Sequence, residues 1–168
     1  RQVCKGDGWN SGGMDVKSRA CQAAERGWAN GITKGRGLGA MYRPLAKGGG
    51  KLVGQDTLAR MGRVAMATHE DATLLIPSRF ALGFMKSMDN RVLASEPNSS
   101  CILGDTAFGH VGMGGSIGFA DPEAHLGFGY NMNRMGAGIL LNDRGQALVD
   151  AAYTALGYRS NASGVWAL

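Results

Sequence analysis

Glycine dominates this sequence: it occupies 28 of 168 positions, more than twice the usual share of about 7%. The glycines follow no Gly-X-Y period, which excludes a collagen-like triple helix. They gather at 48–50, 112–118, 127–129 and 136–138. Glycine at that density marks tight turns and places where backbone comes close to something else. Hydrophobic residues make up 44% of the chain and charged residues 18%. That is enough apolar material for a core and too little charge for a disordered tail. By length the chain fits one ordinary domain.

Other bounds narrow the function classes. The net charge is +5, but the basic residues are scattered and not interleaved with aromatics, so no nucleic-acid partner is expected. No apolar run approaches the roughly 20 residues that span a bilayer, and residues 1–10 carry no signal-peptide apolar region. Cys4, Cys21 and Cys101 are odd in number and form no CxxC, so neither a metal site nor a cofactor is expected. Free thiols in a reducing, cytoplasmic setting are the simplest account, with a Cys4–Cys21 bridge left open. The first residue is Arg1, not Met, as expected of a chain that begins inside a longer gene product.

Periodicity predicts helices first. Val16, Ala20, Cys21, Ala23 and Ala24 stripe a helix from Asp15 to about Arg26. Thr33 is placed to cap a second, with Leu38, Met41, Tyr42 and Leu45 on one face. Gly35, Gly37, Gly39 and Pro44 oppose that helix, by roughly 1 kcal/mol per interior glycine and 3 for an interior proline. Either its ends lie near them or tertiary packing overrides propensity. Asp56 caps a third helix carrying Leu58, Met61, Val64 and Ala65.

From Pro77 the pattern changes. Phe80, Leu82 and Phe84 alternate as in a strand, and a long polar loop over 87–105 follows. Ala107–Met113, Ser116–Ala120 and His125–Met132 are further strands, the last two joined by a turn at Asp121–Ala124. Asn142 caps a final helix running through Leu148, Ala152, Ala155 and Leu156, and Gly157 ends it in the left-handed conformation. The expected class is α+β, with a helical region over 1–70 and antiparallel strands plus a C-terminal helix over 71–168. The last helix can cover one face of the sheet. The other face lacks an obvious cover in this chain, so a homodimer or a complementary fragment is expected to supply it.

Among chemistry-bearing segments, Phe108-Gly-His110-Val111-Gly112-Met113-Gly114-Gly-Ser116 stands out. A strand ending in alternating glycines lets substrate lie against backbone amides, which can stabilise a developing oxyanion. A lone histidine beside glycines is more often structural. Trp28, before Asn-Gly, either borders a cleft or packs in a core. His69-Glu70-Asp71 reads as a solvated turn, and the nine methionines as core filler.

The run GHVGMGGSIGFADPEAHLGFGYNMNRMG resembles the C-terminal strands of β-lactamase-related serine hydrolases, the class C-like β-lactamases and family VIII-type carboxylesterases. SRACQAAERGWANGITKGRGLGAMYRPLAKGGG, SRFALGFMKSMDN and LLNDRGQALVDAAYTALGY are similar to other segments of that family, in the same order. The likeness spans about residues 10–158. It implies the C-terminal portion of a β-lactamase/transpeptidase-like fold and an acyl-enzyme acting on a small-molecule ester or β-lactam. His110-Val111-Gly112 then occupies the motif where many relatives carry Lys-Thr-Gly, and Met113 supplies an oxyanion-hole amide. Val111, Gly114 and Trp28 would border the cleft. Histidine in place of lysine is no permanent cation, which favours esters.

The family's nucleophile lies in Ser-x-x-Lys, and its second motif is usually Tyr-x-Asn. None of Lys5, Lys17, Lys34, Lys47, Lys51 and Lys86 has a serine three residues earlier. None of Tyr42, Tyr130, Tyr153 and Tyr158 has Asn two residues later. The 168 residues alone are therefore expected to be inactive. They form part of a larger hydrolase or, alternatively, a non-catalytic fragment or pseudoenzyme that binds a complementary half.

Overall fold

The computed structural model describes residues 33–93 and 98–168, with Arg19, Ala23 and Gly31 besides. The chain divides into two compact units, Arg1–Thr33 and Lys34–Leu168, and the architecture below is that of the second. Trp28, Cys4, Cys21 and most of the helix expected over 15–26 lie outside the described residues. In order come α1 (Gly35–Ala46), α2 (Gln55–Gly62), β1 (Met66–Thr68), β2 (Ser78–Phe80), β3 (Phe108–Gly112), β4 (Ser116–Asp121), β5 (Leu126–Tyr130) and α3 (Asp143–Ala155). The α+β class is as expected, although β1 falls inside the stretch read as helical.

β3, β4 and β5 form an antiparallel meander with His110 opposite Gly118 and Phe119 opposite Phe128. β1 pairs with β2, Met66 opposite Phe80. Met85 bridges both Phe80 and Gly109, joining the two ladders. The expected strand through Phe84 is interrupted: Gly83 has φ +77°, and Ala81 N–H donates to the Phe84 carbonyl at 2.7 Å. The chain therefore reverses on itself there, leaving Leu82 exposed.

Strand alternation sorts the meander into two faces. Val111, Ile117, Phe119 and Phe128 share one face with α3. Phe119 stacks on Tyr153 at 6.1 Å and on Phe128 at 5.2 Å. Phe108, Gly118, Ala120, Gly127 and Gly129 share the opposite face, and α1 lies on it. This corrects the expectation of an uncovered sheet. A Cβ on Gly118 would stand 2.5 Å from the Tyr42 ring, and one on Gly127 would stand 2.6 Å from the Arg43 backbone. Gly35 and Gly39 of α1 face Gly129 in the same way. Glycine on both partners brings helix backbone against strand backbone. Packing thus sustains a helix that propensity opposes, with Pro44 inside it.

Several expected details shift. Lys34, not Thr33, is the N-cap of α1, and Met41 is exposed, off the stripe of Leu38, Tyr42 and Leu45. Gly54 precedes α2 and Asp56 sits in its first turn. Val64 and Ala65 lie beyond its end, and Ala65 N–H donates to the Phe80 carbonyl at 2.8 Å. Asn142 does cap α3, its side chain accepting from Gly145 N–H at 3.2 Å, and Gly157 is left-handed at φ +92°. The buried stripe of α3 is Gly145, Val149 and Tyr153, whereas Leu148 and Leu156 are exposed. The polar loop over 87–105 carries core residues instead: Met88, Cys101, Ile102 and Leu103 are buried, with Met88 bridged to Cys101. Burial pushes the Cys101 thiol up to about 12, leaving it protonated.

Under α3 the core contains a satisfied polar network. Asp121 is inaccessible to solvent. It accepts from the Tyr153 hydroxyl at 2.6 Å, the Thr106 hydroxyl at 2.7 Å, and the amides of Glu123 and Ala124. Tyr153 in turn accepts from Gly104 N–H at 2.8 Å. Each group has a partner, as burial demands.

Candidate active site

The glycine-rich end of β3 turns into β4 through Met113, Gly114 and Gly115. Gly115 N–H donates to the Gly112 carbonyl at 3.0 Å, so that carbonyl points toward β4. The peptide between Gly112 and Met113 is trans, and a planar trans peptide carries its N–H opposite its carbonyl. Met113 N–H therefore points away from β4, toward the outer edge of β3. At that edge Gly109 exchanges two hydrogen bonds with Met85, at 2.7 and 3.0 Å. Among the described residues no strand or bridge continues along the edge past Gly109.

Ladder groups alternate, so the Val111 carbonyl faces the same edge as that of Gly109. His110 Nδ1 donates to the Val111 carbonyl at 2.6 Å. A carbonyl can only accept, so Nδ1 carries the proton and, in the neutral ring, Nε2 is left as an acceptor. The exposed imidazole thus curls over the edge to which Met113 N–H points. The sequence-predicted His110, Gly112 and Met113 are brought together here. Val111 contributes backbone alone, because its side chain is buried in the α3-side core. Trp28 is outside the described residues.

The turn is braced from behind. Gly114 carbonyl accepts from Gly136 N–H and from the Asn142 side-chain amide, both at 2.9 Å. Asn142 therefore caps α3 with its oxygen and holds the glycine turn with its nitrogen. Sequence reasoning found only the cap, because Asn before a helix carries that signal locally while the second bond joins positions 28 residues apart. A Cβ on Gly114 would meet the Met132 and Met135 side chains at 2.8–3.0 Å, so methionines border the turn.

Within the His69-Glu70-Asp71 run, Asp71 holds its own turn. Asp71 accepts from the amides of Thr73 and Leu74 and from the Ser78 hydroxyl. Those bonds hold its carboxyl below the usual range, with the Leu74 amide the largest cause. Among the described residues no group of three His, Cys, Asp or Glu could hold a metal ion.

A family model described as Beta-lactamase matches residues 5–153. The chain belongs to the β-lactamase family. It is 31% identical over 119 residues to the esterase/beta-lactamase LipL of Mycobacterium tuberculosis (strain ATCC 25618 / H37Rv), covering 68% of this chain and 25% of that protein. Among solved structures it is similar to a family VIII carboxylesterase (36% identity, TM-score 0.57) over 71% of this chain and 31% of the other. A penicillin-binding protein homologue from Caulobacter crescentus shows 26% identity and a TM-score of 0.61, over 72% and 31%. EstA from Arthrobacter nitroguajacolicus Rue61a shows 27% and 0.57, over 73% and 32%. The chain spans between a quarter and a third of the length of these family relatives, and it shares their α+β fold over that part.

Proposed function

We propose that this chain forms the substrate-side edge of a serine hydrolase that cleaves small-molecule esters or β-lactams through an acyl-enzyme. The carrying observation is the Met113 amide, aimed off the edge of β3 that no strand among the described residues pairs with beyond Gly109, with glycines on both sides. In this reading the scissile carbonyl lies along β3 and Met113 N–H donates to the oxyanion of the tetrahedral intermediate. His110 Nε2 accepts a hydrogen bond from a polar substituent on the substrate, which favours esters over substrates that need a fixed cation. The bond from Asn142 to Gly114 holds the turn, so the amide is aimed before substrate arrives. The attacking serine and its lysine come from outside these 168 residues, because no Ser-x-x-Lys occurs within them.

The test is kcat/KM of the full-length protein on p-nitrophenyl esters and nitrocefin. Met113→Pro deletes the amide hydrogen and should approach the roughly 10²–10³-fold loss seen when an oxyanion donor is removed. Met113→Ala keeps the amide and should lose far less. His110→Ala should change preference among substrates. Equal losses for the two Met113 variants, both folded by circular dichroism, would refute the oxyanion role. The 168-residue chain alone should form no acyl adduct, and a covalent adduct on one of its serines would contradict the division of labour proposed here.

A further inference from the structure

A cavity lies at the opposite end of β3, about 16 Å from Met113 at the rise of a strand. It measures about 460 Å³, within the range of small-molecule sites. Leu58 and Gly62 of α2, Val64, Phe108 and Pro122 supply its apolar wall, and Arg63, Arg79, Lys86 and Asp105 its charges. Lys86 is 3% exposed, a degree of burial that lysine rarely shows without a partner. Among the described residues its ammonium makes no ion pair within 4 Å. Met85 pairs with Gly109, so by alternation Lys86 emerges on the Phe108 side of the sheet and lines the cavity with it.

The nearby carboxylates are already engaged. Asp105 sits 3.4 Å from Arg79 and is largely exposed. Asp121 is occupied by two hydroxyls and two amides. Arg63, Arg79 and Lys86 against Asp105 and the nearby Asp121 still leave a positive excess, and among the described residues the ammonium held deepest has no carboxylate within 4 Å. Burial is the main reason its pKa falls below the ordinary lysine range; Arg79 adds to the fall, and Asp105 and Asp121 oppose it. An anion entering the cavity would meet that ammonium in a poorly hydrated place, where a charge-assisted hydrogen bond is strongest.

We propose that this cavity binds a small organic carboxylate with an apolar body, its charge on Lys86 and its body against Leu58, Val64 and Phe108. A single ammonium at the base suits a monoanion, and the apolar wall selects against a bare inorganic ion. Arg79, half-buried and loosely held by Asp105, stands beside the entrance as a second donor. The site is distinct from the Met113 edge and does not rest on the reading given for it.

Calorimetric titration of the full-length protein with 4-phenylbutyrate, its neutral amide and inorganic phosphate tests this. The carboxylate should bind at least ten-fold tighter than either of the others. Lys86→Met, which keeps the apolar stem, should abolish that preference while leaving ester hydrolysis unchanged. Equal binding of acid and amide, phosphate binding as tight as the acid, no binding at millimolar concentration, or full affinity in a folded Lys86→Met variant would each overturn the proposal. If Lys86→Met does not fold, the wild type decides the matter. Reductive methylation mapped by mass spectrometry should be slowed at Lys86 by phenylbutyrate and not by its amide, and absence of that protection counts against the site.

Discussion

The two faces of the β3–β5 meander are packed by opposite means. On the α1 face, Gly118, Gly127 and Gly129 remove side chains so that a helix which also carries glycines can lie against bare backbone. On the α3 face, Phe119, Phe128 and Tyr153 stack, and Trp166 adds a further ring 5.7 Å from Tyr153. One face gains from closeness, with little side-chain entropy to lose. The other gains from area, at roughly 1.5–3 kcal/mol per large apolar side chain buried. The glycine face should tolerate no added atom and the aromatic face no removed one.

The sharpest way to break that contrast is Gly129→Ala. The new Cβ would land on the Gly39 amide and 2.5 Å from the Gly35 carbonyl, where only backbone can give way. Overpacking of this kind typically costs 1–3 kcal/mol and occasionally more, and a backbone obstacle belongs at the upper end, about 3 kcal/mol. Urea denaturation should show it as a lowered midpoint with unchanged slope. A loss under about 0.5 kcal/mol would mean that the seam is loose.

On the aromatic face, Tyr153→Phe keeps the stack and removes one hydroxyl. Asp121 then loses a donor and Gly104 N–H an acceptor, both buried. Leaving such groups unsatisfied costs about 2–3 kcal/mol. The substitution also carries a pH signature. Burial, followed by the Asp121 charge and hydrogen bond, raises the Tyr153 pKa far above its ordinary value. A group whose folded pKa is raised contributes fully below its unfolded pKa, near 10, and that contribution is lost as pH rises further. Wild-type stability should therefore fall above about pH 10. In Tyr153→Phe that alkaline fall should be shallower without vanishing, because burial also raises Tyr158 and Tyr42. Parallel wild-type and variant curves from pH 9 to 11 would contradict the assignment.

The mildest comparison lies within α3. Val149 is inaccessible to solvent, and its neighbour Leu148 is 46% exposed. Val149→Ala should lower stability by about 1.5–2 kcal/mol, from two methyl groups at roughly 0.8 each plus a small cavity. Leu148→Ala should stay within about 0.5 kcal/mol. Equal effects in thermal or urea unfolding would put the helix in a different rotation.

Much of this was legible in the residues. Gly112, Gly114 and Gly115 marked where backbone would be presented, and the strands at 108–130 emerged with ends shifted by only one or two residues. The cap at Asn142 and the stop at Gly157 are short-range devices, so their residue types announce them. The buried face of α3, Gly145, Val149 and Tyr153, was not legible, because Leu148, Ala152, Ala155 and Leu156 also fit a helical stripe and periodicity alone does not say which stripe meets the sheet. The core position of Ile102 and Leu103 was hidden by the polar residues around them.

What the sequence determined by itself is therefore local and chemical: α+β class, strand positions, turn glycines, the residues His110–Met113 from which the proposed catalytic edge is drawn, and membership of a hydrolase family carried by the order of its motifs. The tertiary structure decided what depends on distant partners. It put Gly129 against Gly39, which made a helix of a segment whose glycines and proline argue against one. It joined Asn142 to Gly114, and it left Lys86 buried beside Phe108 with no ion pair among the described residues. Propensity and spacing are properties of neighbours along the chain. Helix-to-sheet approach and the burial of a charge arise only when segments tens of residues apart share one space.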